Sequence, residues 1–492
     1  MGAGSSGRQD MRRKEKSMLL RSTPLVLRFL TAIALFCASD ARAADLYHGL
    51  TLVDPVAETV TPDAYLLVED GRIEKLGTGA PPADLVASQR YDMTGLYAHP
   101  GLIDTHAHVT LGPVSVEIVD GAPKIAVNPD DAITRRNGRM LVAHGITTIR
   151  NPGGEERLNV DYSRRERAGD LVGPEAFNAG KVIHNAPFEG LTDVASGATE
   201  VRAAVRRQVE AGVDYIKLYT GLNRDEVAAG IEAAHELGVK AVAHLDAVSW
   251  AEAARLGLDA LVHIMPTSPD LLPPDARAAY RESARPGAFT FFEWYEAADL
   301  ESPEIKEMIR ALVQHEVTLD ATVIAFQRAY WGDDKTVIER HLELAHPLLV
   351  ENWQTSFRFD LGWQPADYAR AKAIWPKVLR LLKMMHDAGV KLTIGTDLGN
   401  PFVPPGASIH EEMAFHVEAG ISEWAVLRMA TSVAAETLGI DDRTGRLAEG
   451  MEADVIFLKA DPSRDIANIG TVEQVLDDGA LFRSSELKAE TD

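Results

Sequence analysis

The sequence predicts an α/β protein: a (β/α)8 TIM barrel carrying a small composite β-sandwich domain built from both chain ends. Three observations predict it. Through the middle of the chain, short β-prone runs alternate with long amphipathic stretches, the pattern of repeated βα units and a parallel sheet. Eight such runs can be counted, the number of a closed barrel. Both ends instead carry alternating runs broken by tight turns. Ala64-Tyr65-Leu66-Leu67-Val68 precedes Glu69-Asp70-Gly71-Arg72, and near the other end two such runs are followed by Asp477-Asp478-Gly479.

In chain order, the first 43 residues read as a secretory signal peptide. Arg12, Arg13, Lys14 and Lys16 precede an apolar stretch over 25–37, and the small-residue pattern Ala41-Arg42-Ala43 follows it. That stretch is shorter than the ~20 residues of a spanning helix, so no stable membrane insertion is expected after cleavage. The expected location is periplasmic or secreted. Residues 44–98 and 440–492 are expected to form the composite sandwich, and 99–439 the barrel.

The eight strands are predicted over 102–109, 147–150, 176–183, 215–219, 241–245, 260–264, 318–325 and 391–396. Between the sixth and seventh, Ser302-Pro303-Glu304 supplies an N-cap, a proline at the first helical position and an early acid, ahead of Ile305, Met308, Ile309 and Leu312. The segment 266–300, rich in Pro and aromatics, is predicted as an insertion.

Composition narrows the function. Of 492 residues, 46% are apolar and 25% charged, which is globular. Fifty Lys and Arg against 73 Asp and Glu give a net charge of −23, a field that repels nucleic acid and favours a small-molecule partner. Assembly into a homo-oligomer is compatible with this composition. The single cysteine, Cys37, falls inside the signal segment, so any metal must be held by His and carboxylate.

The chemistry lies where the strands end. His106 and His108 follow Gly101-Leu102-Ile103-Asp104-Thr105 and, two residues apart, share a side of their strand. Lys217 sits inside Tyr215-Ile216-Lys217-Leu218-Tyr219, His244 and His263 end the fifth and sixth runs, and Asp397 ends the eighth. In a barrel these ends converge on one mouth. A buried lysine has its pKa lowered towards neutrality, where the amine can take up carbon dioxide as a carbamate. Four imidazoles, one aspartate and a bridging carbamate on Lys217 suit two divalent metal ions such as zinc. Tyr219 shares the face of Lys217, and His184 closes the third run beside Asn185; both are expected to face substrate. His144, His235, His315 and His386 are expected at solvated helix ends, and His341, His410 and His416 on the surface or a lid.

On these residues the sequence resembles the amidohydrolase superfamily, in particular its imidazolonepropionase-like and Xaa-Pro dipeptidase-like members. The matching pieces are the run from Pro100 to His108, Gly145-Ile146-Thr147-Thr148-Ile149-Arg150, Ile216-Lys217, the two later histidines, Gly395-Thr396-Asp397, and the return from Gly445 to Asp454. The resemblance implies that His106, His108 and Asp397 bind a buried metal, that carbamylated Lys217 bridges to a second, and that His244 and His263 hold the latter. It further implies attack by a metal-bridging hydroxide on an amide, with Asp397 as the catalytic proton carrier. The expected substrate is a dipeptide or N-acyl amino acid. Asn151, Leu218-Tyr219-Thr220-Gly221 and Ile264-Met265-Pro266 depart from the family pattern at positions that line the pocket in relatives. A lactone or phosphotriester hydrolase would use the same centre. A deaminase would carry Glu three residues after His244, where Ala247 stands, and a non-catalytic scaffold barrel would have lost ligands.

Overall fold

The computed structural model describes residues 44–119, 122–283, 291–360 and 362–490. The expected signal peptide lies outside the described residues. Strands from both chain ends join in one eight-stranded sheet. Its path runs Ala480–Arg483, Val472–Asp477, Val455–Leu458, Tyr97–Pro100, Asp45–Asp54, Thr59–Glu69 and Arg72–Thr78, with Gln89–Asp92 also pairing on Asp45–Asp54. The seam is antiparallel, Pro100 opposite Val455 and Tyr97 opposite Leu458.

Turn chemistry sets the hairpins. Asp70 and Gly71 join Thr59–Glu69 to Arg72–Thr78 at φ 49° and 74°, and Asp478 and Gly479 repeat the device at 48° and 73°. Asp-Gly suits a two-residue turn because its central residues need positive φ. Apolar side chains on one face, among them Tyr47, Leu66, Val68, Phe457 and Leu476, form a core of their own. Tyr47 stacks on Tyr91 at 4.8 Å and on Phe457 at 5.7 Å.

The middle of the chain is parallel, as the alternation predicts. Leu102–Asp104, Ile146–Asn151 and Glu175–Asn178 form one sheet. A second contains Thr192–Val194, Val182–His184, Tyr215–Leu218, Lys240–Ala243, Ala260–Val262, Thr318–Asp320 and Leu392–Thr393 in that order. Backbone hydrogen bonds join the flanks: Thr105 N to Ile394 O at 2.9 Å, Asp397 N to His106 O at 2.7 Å, and Asp214 N to Asn178 O at 2.8 Å. The pairing among described residues is nevertheless two ladders and not one closed ladder.

Each of the eight predicted runs overlaps an observed strand, but most strands stop early. The third divides into Glu175–Asn178 and Val182–His184, and the seventh gives way to a helix at Val323–Tyr330. The last keeps only Leu392–Thr393. Pairing ends where the backbone turns: Thr322, His263 and Asp397 have φ of 44°, 67° and 62°. The helix Pro303–Gln314 starts as predicted, with Ser302 Oγ accepting from Ile305 N at 3.3 Å and Ile305, Met308, Ile309 and Leu312 buried. The segment 266–300 carries helices Pro274–Ser283 and Phe291–Ala297. A hairpin, Val114–Val119 with Ala122–Val127, was not anticipated. Among the described residues no helix is long and apolar enough to cross a membrane.

Candidate metal centre

Strands deliver the polar residues, but loops just beyond the ladders hold them. His106 and His108 stand two and four residues past Leu102–Asp104, and Asp397 four past Leu392–Thr393. Asp104 ties these two loops together. Its carboxylate accepts from His106 N at 3.0 Å, Thr396 N at 3.1 Å and Thr396 Oγ1 at 2.7 Å, and burial pushes its pKa up to about 7.

The imidazoles form a row. Ring centres are 5.4 Å apart for His108 and His106, 4.8 Å for His106 and His263, and 4.6 Å for His263 and His244. Tyr219 continues it 4.9 Å from His244, and His184 lies 5.4 Å from Tyr219. The structure thus brings together His106, His108, His244, His263 and Asp397, with Tyr219 and His184 at one end. Asp397 Oδ1 lies 3.2 Å from His106 Nε2 and 3.4 Å from His108 Nε2, while Oδ2 is 3.8 Å from His263 Nδ1. Lys217 is buried and acts electrostatically on all four histidines and on Asp397.

Protonation follows from burial and neighbours. Burial pushes His244 down to about 3, assisted by Lys217, and holds His263 well below the usual imidazole range, assisted by His244. It also lowers His108. At His106 burial works the same way but is outweighed by Asp320 and Asp397, so this ring is raised. Burial pushes Lys217 down to about 8, against the pull of Asp320 and Asp397. Asp397 is opposed by burial, yet the surrounding imidazoles, His106 first, keep it well below the carboxylate range. Three neutral rings beside a carboxylate present lone pairs to a cation.

The far side of three of the four rings is held. His106 Nδ1 donates to Asp320 Oδ1 at 2.9 Å, His108 Nδ1 donates to Gly153 O at 3.1 Å, and His263 Nδ1 bonds with Thr322 Oγ1 at 2.7 Å. Such outer bonds fix the tautomer that turns Nε2 towards a metal. His106 Nε2 and His244 Nδ1 are buried without a directed hydrogen bond, which is costly unless another partner is supplied. Ligand atoms of His106, His108 and Asp397 all lie within 4.8 Å of one another. These residues fit a borderline divalent ion with nitrogen and oxygen ligands.

Asp320, given no role by the sequence, and Arg150, there only the end of the run from Gly145, brace the site. Burial works to raise Asp320, but His106 and then Arg150 outweigh it and hold the carboxylate ionised. Arg150 binds the other oxygen of Asp320 and donates from Nε to Thr105 O at 2.8 Å. The signal was present: Asp320 is an acid inside the seventh apolar run. Glu412 fastens the next turn, accepting from Val323 N at 3.0 Å and Ile324 N at 2.7 Å.

Two histidines correct the expectation of solvent. His144 is buried and donates to Met140 O at 2.7 Å, and His416 is fully buried and donates to Glu412 O at 2.9 Å. His410 is partly buried and bonds to His144 O at 3.0 Å. Packing of their helices decides these positions. His235 and His315 are exposed at helix ends, as expected.

Comparison with known proteins identifies the family and the fold. An imidazolonepropionase of Streptococcus pyogenes serotype M1 is 38% identical over 163 residues, covering 28% of this chain and 37% of that relative. The match therefore spans little more than a third of the curated relative. Among solved structures, a Xaa-Pro dipeptidase with bound methionine superposes with a TM-score of 0.65 at 21% identity, over 90% of this chain and all of that one. Bottromycin amidohydrolase gives 0.64 at 24%, over 90% and 88%. These likenesses show a TIM-barrel-type α/β fold. The Amidohydrolase family matches residues 97–481, which is most of the sequence, and the chain belongs to that family.

Proposed function

We propose that this protein is a metal-dependent hydrolase of carbon–nitrogen bonds with a binuclear centre, cleaving a dipeptide or N-acyl amino acid. The observation that carries the reading is the row of four imidazoles beside Asp397, three of them buried and held by their outer nitrogens and His244 half-buried. Family membership and the likeness to a Xaa-Pro dipeptidase support it.

His106, His108 and Asp397 would hold one ion and His244 with His263 the other, with Lys217 as a carbamate between them. The set suits zinc. When bound, the metal pair supplies a nucleophile from water at neutral pH and polarises the scissile carbonyl. The protein does the rest. Asp397 takes the proton released on attack through its carboxylate and delivers it to the leaving nitrogen. Asp320 and Gly153 keep His106 and His108 oriented. Tyr219 and His184, at the end of the imidazole row, touch the substrate and set its position.

The two parallel ladders form a single (β/α)8 barrel over 99–439, and 44–98 with 440–492 form a composite β-sandwich domain. The first 43 residues act as a signal peptide, placing the enzyme in the periplasm or outside the cell.

Screening dipeptides, N-acyl amino acids and lactones with the zinc-loaded protein tests the reaction. Turnover of at least one amide is expected; turnover of lactones alone would replace the substrate class.

A further inference from the structure

Thr322 stands where a helix cap belongs and does not act as one. It precedes the helix Val323–Tyr330, and a threonine there ordinarily turns its hydroxyl onto the second or third amide of the helix. Here its backbone is left-handed, with φ 44° and ψ 41°, a region that β-branched residues rarely enter, and the side chain makes no capping bond. The hydroxyl goes to His263 instead, Oγ1 lying 2.7 Å from Nδ1.

Another residue caps the helix. Glu412, far along the chain in the helix Ala407–Glu418, is fully buried, and its two oxygens accept from Val323 N at 3.0 Å and Ile324 N at 2.7 Å. A buried acid is costly without partners. Among the described residues no lysine or arginine lies within 4 Å of this one, and its own helix offers His416 Nδ1 at 3.7 Å. The two amides are therefore its main partners, and the positive end of a helix suits a negative cap. Fixing the amides of the next two residues fixes the ψ of Thr322, and with it the direction of the hydroxyl. The same helix sets Phe326 edge-on against the His263 ring, 5.9 Å between centres.

We propose that Glu412 is a positioning residue for the second ion: by capping the helix in place of Thr322, it releases the Thr322 hydroxyl to hold His263. The inference rests on the binuclear reading above, in which His263 and His244 share that ion. With Thr322 accepting from Nδ1, the ring keeps the lone pair of Nε2 for a metal. The end of the strand Thr318–Asp320 then serves both ions, since Asp320 bonds to His106 and Thr322, two residues on, bonds to His263. Each is backed by a buried charged side chain from elsewhere, Arg150 behind Asp320 and Glu412 behind Thr322.

Stepwise chelator competition on the zinc-loaded protein, read as two affinities, tests this. Glu412→Ala and Thr322→Val should each weaken one ion about 10–100-fold and leave the other within about twofold. Thr322→Ser keeps the hydroxyl and should bind as the wild type does. Because both residues act through one bond, combining Glu412→Ala with Thr322→Val should be no worse than the poorer single variant. Glu412→Gln, which keeps the shape and one acceptor oxygen, carries the same comparison at a smaller effect should the alanine variant not fold. The proposal is overturned if both ions weaken together, if substitution of either residue leaves both affinities unchanged, or if the two effects add; each of those outcomes leaves the binuclear centre standing. A wild type that binds fewer than two ions overturns the binuclear reading itself, and the proposal with it.

Discussion

The strand-end loops and the mixed sheet use the same backbone conformation for different ends. In the sheet, positive φ falls among others on Asp70-Gly71 and Asp478-Gly479, residues that adopt it at little cost and close hairpins with it. At the mouth it falls on His263, Thr322 and Asp397, for which it costs of order 1 kcal/mol or more each. The sheet's turns agree with its local sequence. The loops are held against theirs by a shared frame, in which Asp104 joins the first loop to the last and Glu412 anchors the turn after Thr322. At the mouth strained backbone and unpartnered nitrogens coincide with the chemistry; the sheet has Glu58 at φ 54° and the unpartnered His99 Nε2, so neither feature alone marks a site.

Substitutions can separate the two regions. The largest effect belongs to the mouth: Lys217→Ala or Asp397→Asn should lower kcat/KM by at least ~10⁴, about 5 kcal/mol, with an unchanged circular dichroism spectrum. Wild-type rates in either variant would remove the mechanism. Phe457→Ala should do the reverse, costing about 3–5 kcal/mol of stability in denaturant titration because a fully buried ring leaves a cavity, while the folded fraction keeps its kcat. A lost kcat in that variant would show that the regions are not separable.

Smaller effects sharpen the contrast. Asp320→Asn keeps an acceptor for His106 but loses the charge that pairs with Arg150, and should weaken metal binding about 10–100-fold in a chelator competition. Unchanged affinity would reduce Asp320 to packing. The smallest change is expected from His184→Ala and Tyr219→Phe, which should raise KM a few-fold with kcat nearly constant. If both leave KM alone, substrate does not reach that end of the imidazole row.

Much of this was legible in the sequence, for identifiable reasons. Short apolar runs locate the parallel strands because both faces of that sheet are buried, and all eight overlap an observed strand. The turn residues Asp70-Gly71 and the cap Ser302 carry their own geometry. Strand ends were not legible, since pairing at the mouth stops where a side chain must turn inward, and no local pattern records that. Asp320 was hidden in plain apolar company, and the hairpin Val114–Val119 with Ala122–Val127 was overlooked although Val114, Val116 and Ile118 alternate before Asp120-Gly121. His144 and His416 were misjudged because helix packing, not position near a helix end, buries them.

The central claim is that six side chains from distant parts of the chain hold a pair of cations. Counting metal per chain by mass spectrometry, in protein dialysed against trace zinc, tests it most directly. Two ions are expected in the wild type and fewer in Lys217→Ala, whereas a wild-type protein that retains none would contradict the account.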